Sequence, residues 1–76
     1  MKKTAFVTGA TSGFGEAIAR RLSQEGYKIV ALARREDRLK KLASELGDTH
    51  IIVADIRDKK AVFDAVDSLP DKFKDI

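Results

Sequence analysis

The sequence predicts an α/β fold with a parallel three-stranded sheet, in the order 3-2-1, and the element order β-α-β-α-β-α. Three observations support this prediction. Three short runs are continuously apolar, which is typical of strands covered on both faces. Each run is followed by a stretch whose apolar residues recur at helical spacing. Strands and helices alternate regularly, which implies right-handed crossovers between parallel strands, and residues 1–76 are few enough to form one unit.

The first strand is predicted over Thr4–Thr8, a short apolar run that ends at a glycine. The helix after it is expected to run from residue 13 or 14 to residue 25. Three large apolar residues recur along it and are expected to form its apolar face: Phe14, Ile18 and Leu22. Gly26 is a natural stop for this helix.

Two further strand-helix units are predicted. Lys28–Ala33 is the second strand, and residues 36–46 form the second helix, with an acidic first turn that suits the helix dipole. Residues 49–54 form the third strand and residues 59–69 the last helix, which Asp58 caps. The first two helices are expected to cover one face of the sheet and the third helix the other. No regular structure is predicted after Pro70.

Three glycines lie where the first strand meets the first helix, in the stretch TGATSGFG of residues 8–15. Glycine allows positive φ and lets a ligand approach the backbone closely. The first amides of a helix have no internal acceptor and lie at the positive end of its dipole, so this junction suits phosphate. The alternative is that the glycines only form a tight turn. A P-loop is excluded because Phe14 follows Gly13, where that motif needs Lys.

A dinucleotide site that prefers NAD carries an acidic residue about 20 positions after the glycines. At that distance this chain has Arg34 and Arg35. A guanidinium can pair with a 2′-phosphate through two hydrogen bonds, whereas a carboxylate would repel it. The pair therefore favours NADP over NAD as the cofactor, the alternative being that both are solvated loop charges.

Asp55 follows the third strand, at the edge where a doubly wound sheet binds ligands. The competing interpretation is a local capping or loop residue. His50 is the single histidine of the sequence and is expected at the surface, without a metal role.

The composition argues against several other classes. The chain has no cysteine, and no apolar run approaches the length of a membrane span or a signal peptide, so a cytoplasmic protein is expected. Fifteen basic residues are interleaved with 12 acidic ones, giving a net charge of +3. No aromatic residues alternate with the basic ones, so nucleic-acid binding is not expected.

The quoted residues resemble the short-chain dehydrogenase/reductase family. Residues 8–15 match every fixed position of its cofactor motif, TGxxxGxG, and the resemblance extends over the ends of the second and third strands, Ala33-Arg34-Arg35 and Ala54-Asp55-Ile56. The chain is most similar to the NADP-dependent members that oxidise serine or 3-hydroxy acids. The resemblance implies a Rossmann-type three-layer fragment that binds a dinucleotide.

The resemblance also implies roles for individual residues. The pyrophosphate and ribose pocket would be shaped by Gly9, Thr11, Ser12, Gly13, Phe14 and Gly15. Arg34 and Arg35 would hold the 2′-phosphate of NADP, and Asp55 and Ile56 would border the adenine ring. One departure concerns Ser12, because many NADP-dependent members carry a basic residue there.

The family's proton-transferring Tyr-x-x-x-Lys pair is not found in these residues. The single tyrosine is Tyr27, and Ala31 stands four positions later. The expected function is therefore an NADP(H)-binding N-terminal fragment that is inactive by itself. The alternative is a folding or assembly module without a ligand. An exposed first strand and a partly uncovered sheet face are expected to cause self-association, as a homodimer or larger oligomer.

Overall fold

The computed structural model describes residues 3–74. In chain order it contains β1 (Thr4–Thr8), α1 (Gly13–Gln24), β2 (Lys28–Ala33), α2 (Glu36–Glu45), β3 (Thr49–Val53), α3 (Lys59–Asp67) and a 3₁₀ turn (Asp71–Phe73). The six predicted strands and helices are confirmed, and their ends lie within one or two residues of the expected ones. Alternation of continuous apolar runs with helical periodicity was sufficient to locate them.

The sheet is parallel and has the strand order β1-β2-β3, as predicted. Ala31 in the central strand lies opposite Val7 of β1 and Ile51 of β3. Residues 29–33 of β2 are all buried, which explains why this strand is apolar without alternation.

The two faces of β2 belong to two separate cores, because successive side chains of a strand point to opposite faces. Ile29, Ala31 and Ala33 pack in the core that includes Leu39 and Leu42 of α2. Val30 and Leu32 pack in the other core with Ile52, Leu69 and Phe73, against which Val62, Ala65 and Val66 of α3 also pack. Helices α1 and α2 thus cover one face and α3 the other, which confirms the three-layer arrangement.

The expectation that no regular structure follows Pro70 is wrong for Asp71–Phe73. This 3₁₀ turn places the Phe73 side chain in the second core, where it is 5% exposed. His50, expected at the surface, is half-buried, and its ring lies 5.6 Å from the Phe73 ring. Residues 71–76 contain a single aromatic residue, Phe73, so their apolar residues form no periodic pattern that could predict the turn. Residues 75 and 76 lie outside the described residues.

The predicted apolar face of α1 is also wrong in part. Phe14 is 70% exposed and Ile18 is 43% exposed, whereas Gly15 and Ala19 are buried. A Cβ atom on Gly15 would lie 2.1 Å from the carbonyl oxygen of Gly9. Because α1 begins this close to Gly9, the small residues Gly15 and Ala19 face the sheet, and the large residues Phe14 and Ile18 are turned outward. Of the three predicted apolar residues, Leu22 alone packs against the core.

Candidate functional site

The loop between β1 and α1 is folded around Gly9 and Ser12. Gly9 has a φ of +62°, a conformation that glycine adopts without steric cost. The Ser12 hydroxyl donates to the carbonyl oxygen of Gly9 at 2.7 Å and accepts from the N–H of Gly15 at 3.1 Å. Ser12 is therefore the N-cap of α1, and its side chain fixes the shape of the loop.

The first turn of α1 presents two backbone donors that no group in the described part of the chain accepts from. The N–H of Gly15 and that of Glu16 bind the hydroxyl and the carbonyl oxygen of Ser12. Within residues 3–74, the N–H groups of Gly13 and Phe14 have no acceptor. A Cβ atom on Gly13 would meet nothing within 4 Å, so the space beside these donors is open. Two free N–H groups at the positive end of a helix dipole form a site suited to an anion.

A cleft of about 290 Å³ lies at the carboxyl ends of the three strands. Its lining residues come from the β1–α1 loop, the end of β2, the start of α2 and the segment after β3. They are Gly9, Thr11, Ser12, Leu32, Ala33, Arg34, Arg35, Arg38, Ala54, Asp55 and Ile56. The parallel fold thus brings three separate stretches of the sequence to one edge of the sheet, as a doubly wound sheet does at its ligand site.

The structure brings together seven of the ten predicted site residues in this cleft, and three lie beside it. Gly15 is buried under Gly9, and Gly13 begins α1. The Phe14 side chain lies in a different, shallow apolar groove with Ala17, Ile18, Arg21 and Leu22. Only the backbone of Phe14 is therefore available to a ligand at the helix start.

Three arginines are among the residues that line the cleft. Arg34 and Arg35 were predicted, and Arg38 was not. All three are exposed, and none forms an ion pair with another residue in the part of the chain described, 3–74. They lie at the start of α2, where Arg35 is the N-cap without a side-chain capping bond. Cations at this end oppose the helix dipole, so a bound anion would relieve an unfavourable arrangement.

Arg38 could have been found from its position in the sequence. It lies three residues after Arg35 and four after Arg34, and residues three or four apart lie on the same side of a helix. The first helical turn after β2 therefore brings it to the same edge of the sheet. The sequence interpretation did not apply this spacing to Arg38.

Asp55 lies in the cleft and is bound to Arg57. The backbone N–H of Arg57 donates to Asp55 Oδ1 at 2.9 Å, and Nη2 of Arg57 donates to Oδ2 at 2.8 Å. These bonds, with a smaller contribution from the charge of Arg34, lower the pKa of Asp55 to about 2. Asp55 therefore makes local loop bonds and also lines the cleft, and its role towards a ligand stays a prediction. Arg57 was missed, although it stands only two residues away.

The cleft also has apolar lining residues. Leu32 and Ala33 end the central strand, and Ala54 continues β3 by donating its N–H to the carbonyl oxygen of Ala33 at 3.0 Å. Ile56 is 52% exposed at the rim. Apolar lining residues together with cationic side chains and a carboxylate suit a nucleoside, whose base is planar and whose ring edge is polar.

Other kinds of site find no support in the described residues. No cluster of His, Cys, Asp and Glu in residues 3–74 has the geometry to hold a metal ion. Over the same residues, no helix is both long enough and apolar enough to cross a membrane.

Comparison with known proteins points to the same family as the glycine motif of residues 8–15. A family model described as short chain dehydrogenase matches residues 3–76. The chain is 51% identical over 77 residues to a serine 3-dehydrogenase of Agrobacterium fabrum (strain C58), covering 100% of this chain and 31% of the relative. It is 46% identical over 71 residues to an NADP-dependent 3-hydroxy acid dehydrogenase of Shigella flexneri, covering 92% of this chain and 29% of the relative.

A solved structure of similar fold is the closed form of a serine dehydrogenase complexed with NADP+. It matches with a TM-score of 0.87 and 44% identity, over 92% of this chain and 29% of that chain. The present chain thus spans less than a third of the length of the curated relatives named above. The predicted Rossmann-type arrangement is confirmed by this likeness, and with the matching motif residues it follows that the chain belongs to the short-chain dehydrogenase family.

Proposed function

We propose that this chain binds NADP(H) and holds the adenosine half of the dinucleotide in the cleft. The observation that carries the proposal is the meeting of two features at one edge of the sheet. These are the free N–H groups of Gly13 and Phe14 and the unpaired guanidinium groups of Arg34, Arg35 and Arg38. The amides suit the pyrophosphate, and the arginines suit the 2′-phosphate.

The residues of the cleft fit NADP better than NAD. An NAD site has a carboxylate after the second strand to bond the ribose 2′-hydroxyl, and here that place is taken by Arg34. The single carboxylate among the lining residues, Asp55, belongs to the segment after β3 and is held by Arg57. The relatives named as NADP-dependent, or solved with NADP+, support the same choice.

We further propose that the 76 residues by themselves catalyse no dehydrogenase reaction. When bound, the nicotinamide supplies or accepts hydride, and the substrate must also exchange a proton with a positioned acid or base. The single tyrosine, Tyr27, precedes β2, at the opposite end of the strands from the cleft. In a chain of the relatives' length, we propose that this unit serves a dehydrogenase acting on serine or a 3-hydroxy acid.

Titration calorimetry with NADP and NAD tests the cofactor proposal. The double variant Arg34→Asp with Arg35→Ala is expected to weaken NADP binding by about tenfold or more, because it removes two charge-assisted contacts. NAD binding should change little. A matched control is Lys59→Asp with Lys60→Ala, which makes the same change of charge on α3, away from the cleft lining. Equal affinity of the unaltered chain for NADP and NAD would contradict the proposal.

Self-association is a second part of the proposal. β1 is an edge strand in the described sheet, and Phe14 and Ile18 are exposed on the helix beside it. Edge strands and exposed apolar residues favour contact with another chain. Sedimentation velocity is expected to show a dimer or larger oligomer that Ile18→Lys weakens. A monomer at every concentration would refute this part.

The cytoplasmic location expected from the sequence stays a prediction.

The exposed apolar residues also favour the alternative function, a folding or assembly module that binds no ligand. The two functions differ in one measurement. A ligand that binds only the folded state must stabilise it. If NADP leaves the midpoint of thermal unfolding unchanged while the chain still associates, the assembly function is favoured and nucleotide binding is refuted.

A further inference from the structure

The apolar flank of α1 lies above the open edge of the sheet. On the flank towards α2, Arg20 bonds Glu45 of that helix. Residues two apart on a helix point in nearly opposite directions, because each residue turns by about 100°, so Ile18 lies on the flank away from α2. Helix α2 packs against β2 and β3, which leaves the edge strand β1 on this same side. The exposed side chains of Phe14 and Ile18 therefore stand beside the open edge of β1.

The backbone of Phe6 points out of this open edge. The carbonyl oxygen of Lys3 accepts from the N–H of Lys28 in β2 at 2.8 Å. Backbone groups of successive strand residues point to alternate sides of the strand, so residues 5 and 7 also face β2 and residue 6 faces outward. Phe6 is the central residue of Thr4–Thr8. Its N–H and C=O can exchange two hydrogen bonds with those of a second Phe6 when the two strands are antiparallel.

The apolar residues on this flank of α1 are evenly spaced about Ile18. Phe14 and Leu22 stand four residues before and after it, and all three line one shallow groove with Ala17 and Arg21. In an isologous contact each residue meets its counterpart in reverse order. Two antiparallel copies of α1 would therefore pair Ile18 with itself and Phe14 with Leu22. Arg21, the charged residue of the groove, would lie beside the Phe14 ring of the second copy, and a cation and an aromatic ring attract.

One twofold axis satisfies the strand pairing and the helix pairing together. Helix α1 begins at Gly15 against Gly9, just after β1 ends. Twelve helical residues and five strand residues both span about 17–18 Å, so the middle of α1 lies over the middle of β1. Paired strands are about 4.8 Å apart, and α1 packs over both β1 and β2. Each α1 axis would thus lie about one strand spacing from the twofold, and two helices about 10 Å apart are at packing distance.

We propose that two copies of this chain associate through β1 and α1 about this twofold axis, with Phe6 opposite Phe6 and Ile18 opposite Ile18. The two sheets then form one sheet of six strands that is antiparallel at its centre. An interface of standard size takes about 800 Å² per partner, roughly a sixth of the molecule's 5054 Å² surface, so the contact uses the helix as well as a strand of five residues. This inference rests on the self-association in the proposed function and specifies its geometry.

This arrangement leaves both nucleotide clefts open. The cleft lies at the carboxyl ends of the strands, and antiparallel central strands place these ends at opposite edges of the joined sheet. The backbone of Phe14 stays at the phosphate end of its own cleft, while its side chain enters the contact between copies. The dimer is therefore expected to bind one NADP per chain.

Cysteine cross-linking tests the helix pairing, because the sequence has no cysteine and each introduced thiol is the only one in its chain. Under mild oxidation, Ile18→Cys should form a disulfide-linked dimer about tenfold or more faster than Phe63→Cys, a control exposed on α3. Phe14→Cys alone should be as slow as the control, because its two copies would be about 12 Å apart along the helices, beyond the reach of a disulfide. A mixture of Phe14→Cys and Arg21→Cys chains should yield the mixed dimer.

Hydrogen exchange of the unaltered chain tests the strand pairing without any substitution. Raising the protein concentration through the dimerisation range should slow exchange of the Phe6 N–H by about tenfold or more, because this group becomes hydrogen-bonded only in the dimer. The N–H of Val7 faces β2 in both states and provides the reference for general stabilisation. Equal slowing at Phe6 and Val7 would contradict the pairing of β1 with its copy.

The outcomes are distinguishable from failure of the proposed function. If sedimentation shows a dimer but Ile18→Cys cross-links no faster than Phe63→Cys, or Phe14→Cys cross-links fastest with itself, the twofold arrangement is refuted and self-association stands. If the unaltered chain stays monomeric, both are refuted together, and NADP binding is judged separately by calorimetry. Circular dichroism verifies the fold of each variant, and hydrogen exchange decides if Ile18→Cys does not fold.

Discussion

Gly15 and Gly13 are two glycines of the same helical turn with different structural requirements. A Cβ atom on Gly15 would lie 2.1 Å from the carbonyl oxygen and 2.8 Å from the carbonyl carbon of Gly9, and neither backbone atom can move aside cheaply. A Cβ atom on Gly13 would meet no atom within 4 Å. Gly15 is therefore required by the fold. Gly13 is required only if a ligand occupies the open space beside it.

Alanine substitutions at these two positions are expected to have opposite effects. Gly15→Ala should lower the free energy of unfolding by about 1–3 kcal/mol, because it forces backbone atoms apart. Gly13→Ala should raise it by up to about 1 kcal/mol, because alanine is the better helix former, while weakening NADP binding. Urea unfolding and calorimetry measure the two effects. Equal stability losses in both variants would contradict the close approach seen at Gly15.

Among residues 3–74, the carboxyl group of Asp55 has a pKa well below its ordinary value. Its pKa is expected to be about 2 in the folded chain, below the ordinary 3.8, mainly because of the hydrogen bonds from Arg57. A lowered pKa in the folded state means that the pair stabilises the fold above the ordinary pKa and that this contribution is lost as the pH falls through about 2. Arg57→Ala should return the midpoint towards 3.8. The ¹³C shift of the carboxyl carbon measures it, with Lys60→Ala as the control that leaves it in place.

At the scale of the elements, the orientation of α1 is the main result. Its small residues, Gly15 and Ala19, face the sheet, and its large apolar residues, Phe14 and Ile18, are exposed. Helix α2 follows the simple rule instead, since Leu39 and Leu42 are both buried. The difference arises because α1 begins so close to Gly9 that only a glycine fits at position 15.

Two substitutions test this difference between the helices: one of an exposed phenylalanine in α1 and one of a buried leucine in α2. Phe14→Ala is expected to change the free energy of unfolding by no more than about 0.5 kcal/mol, as at other exposed positions. Leu39→Ala, at a position with 0% exposure, is expected to cost about 2–5 kcal/mol. Urea unfolding at low protein concentration, where association is weakest, gives both values. A large loss from Phe14→Ala under these conditions would mean that α1 packs with its large residues inward.

For the molecule as a whole, binding and stability are linked. A small domain buries a modest core, so a ligand contributes a large fraction of its stability. NADP at 100 times its dissociation constant should raise the free energy of unfolding by about 2.7 kcal/mol. Unfolding by urea with and without NADP measures this gain. The Arg34→Asp with Arg35→Ala variant, at the same NADP concentration, should gain less.

The sequence by itself determined the order of the strands and helices, the parallel sheet and the family. These follow from local signals: continuous apolar runs, helical spacing and the glycines of residues 8–15, which report short-range backbone requirements. Arg34, Arg35 and Asp55 could be predicted as neighbours because parallel strands end at the same edge of a sheet.

The tertiary structure alone decided which face of α1 packs and that Phe73 enters the second core. Each of these depends on a distance between groups from different turns or elements. A residue's hydrophobicity and spacing describe what its own element prefers. How closely two elements approach is set by the packing of both, and in this chain the contact of Gly15 with Gly9 overrides the preference of α1 to bury its largest side chains.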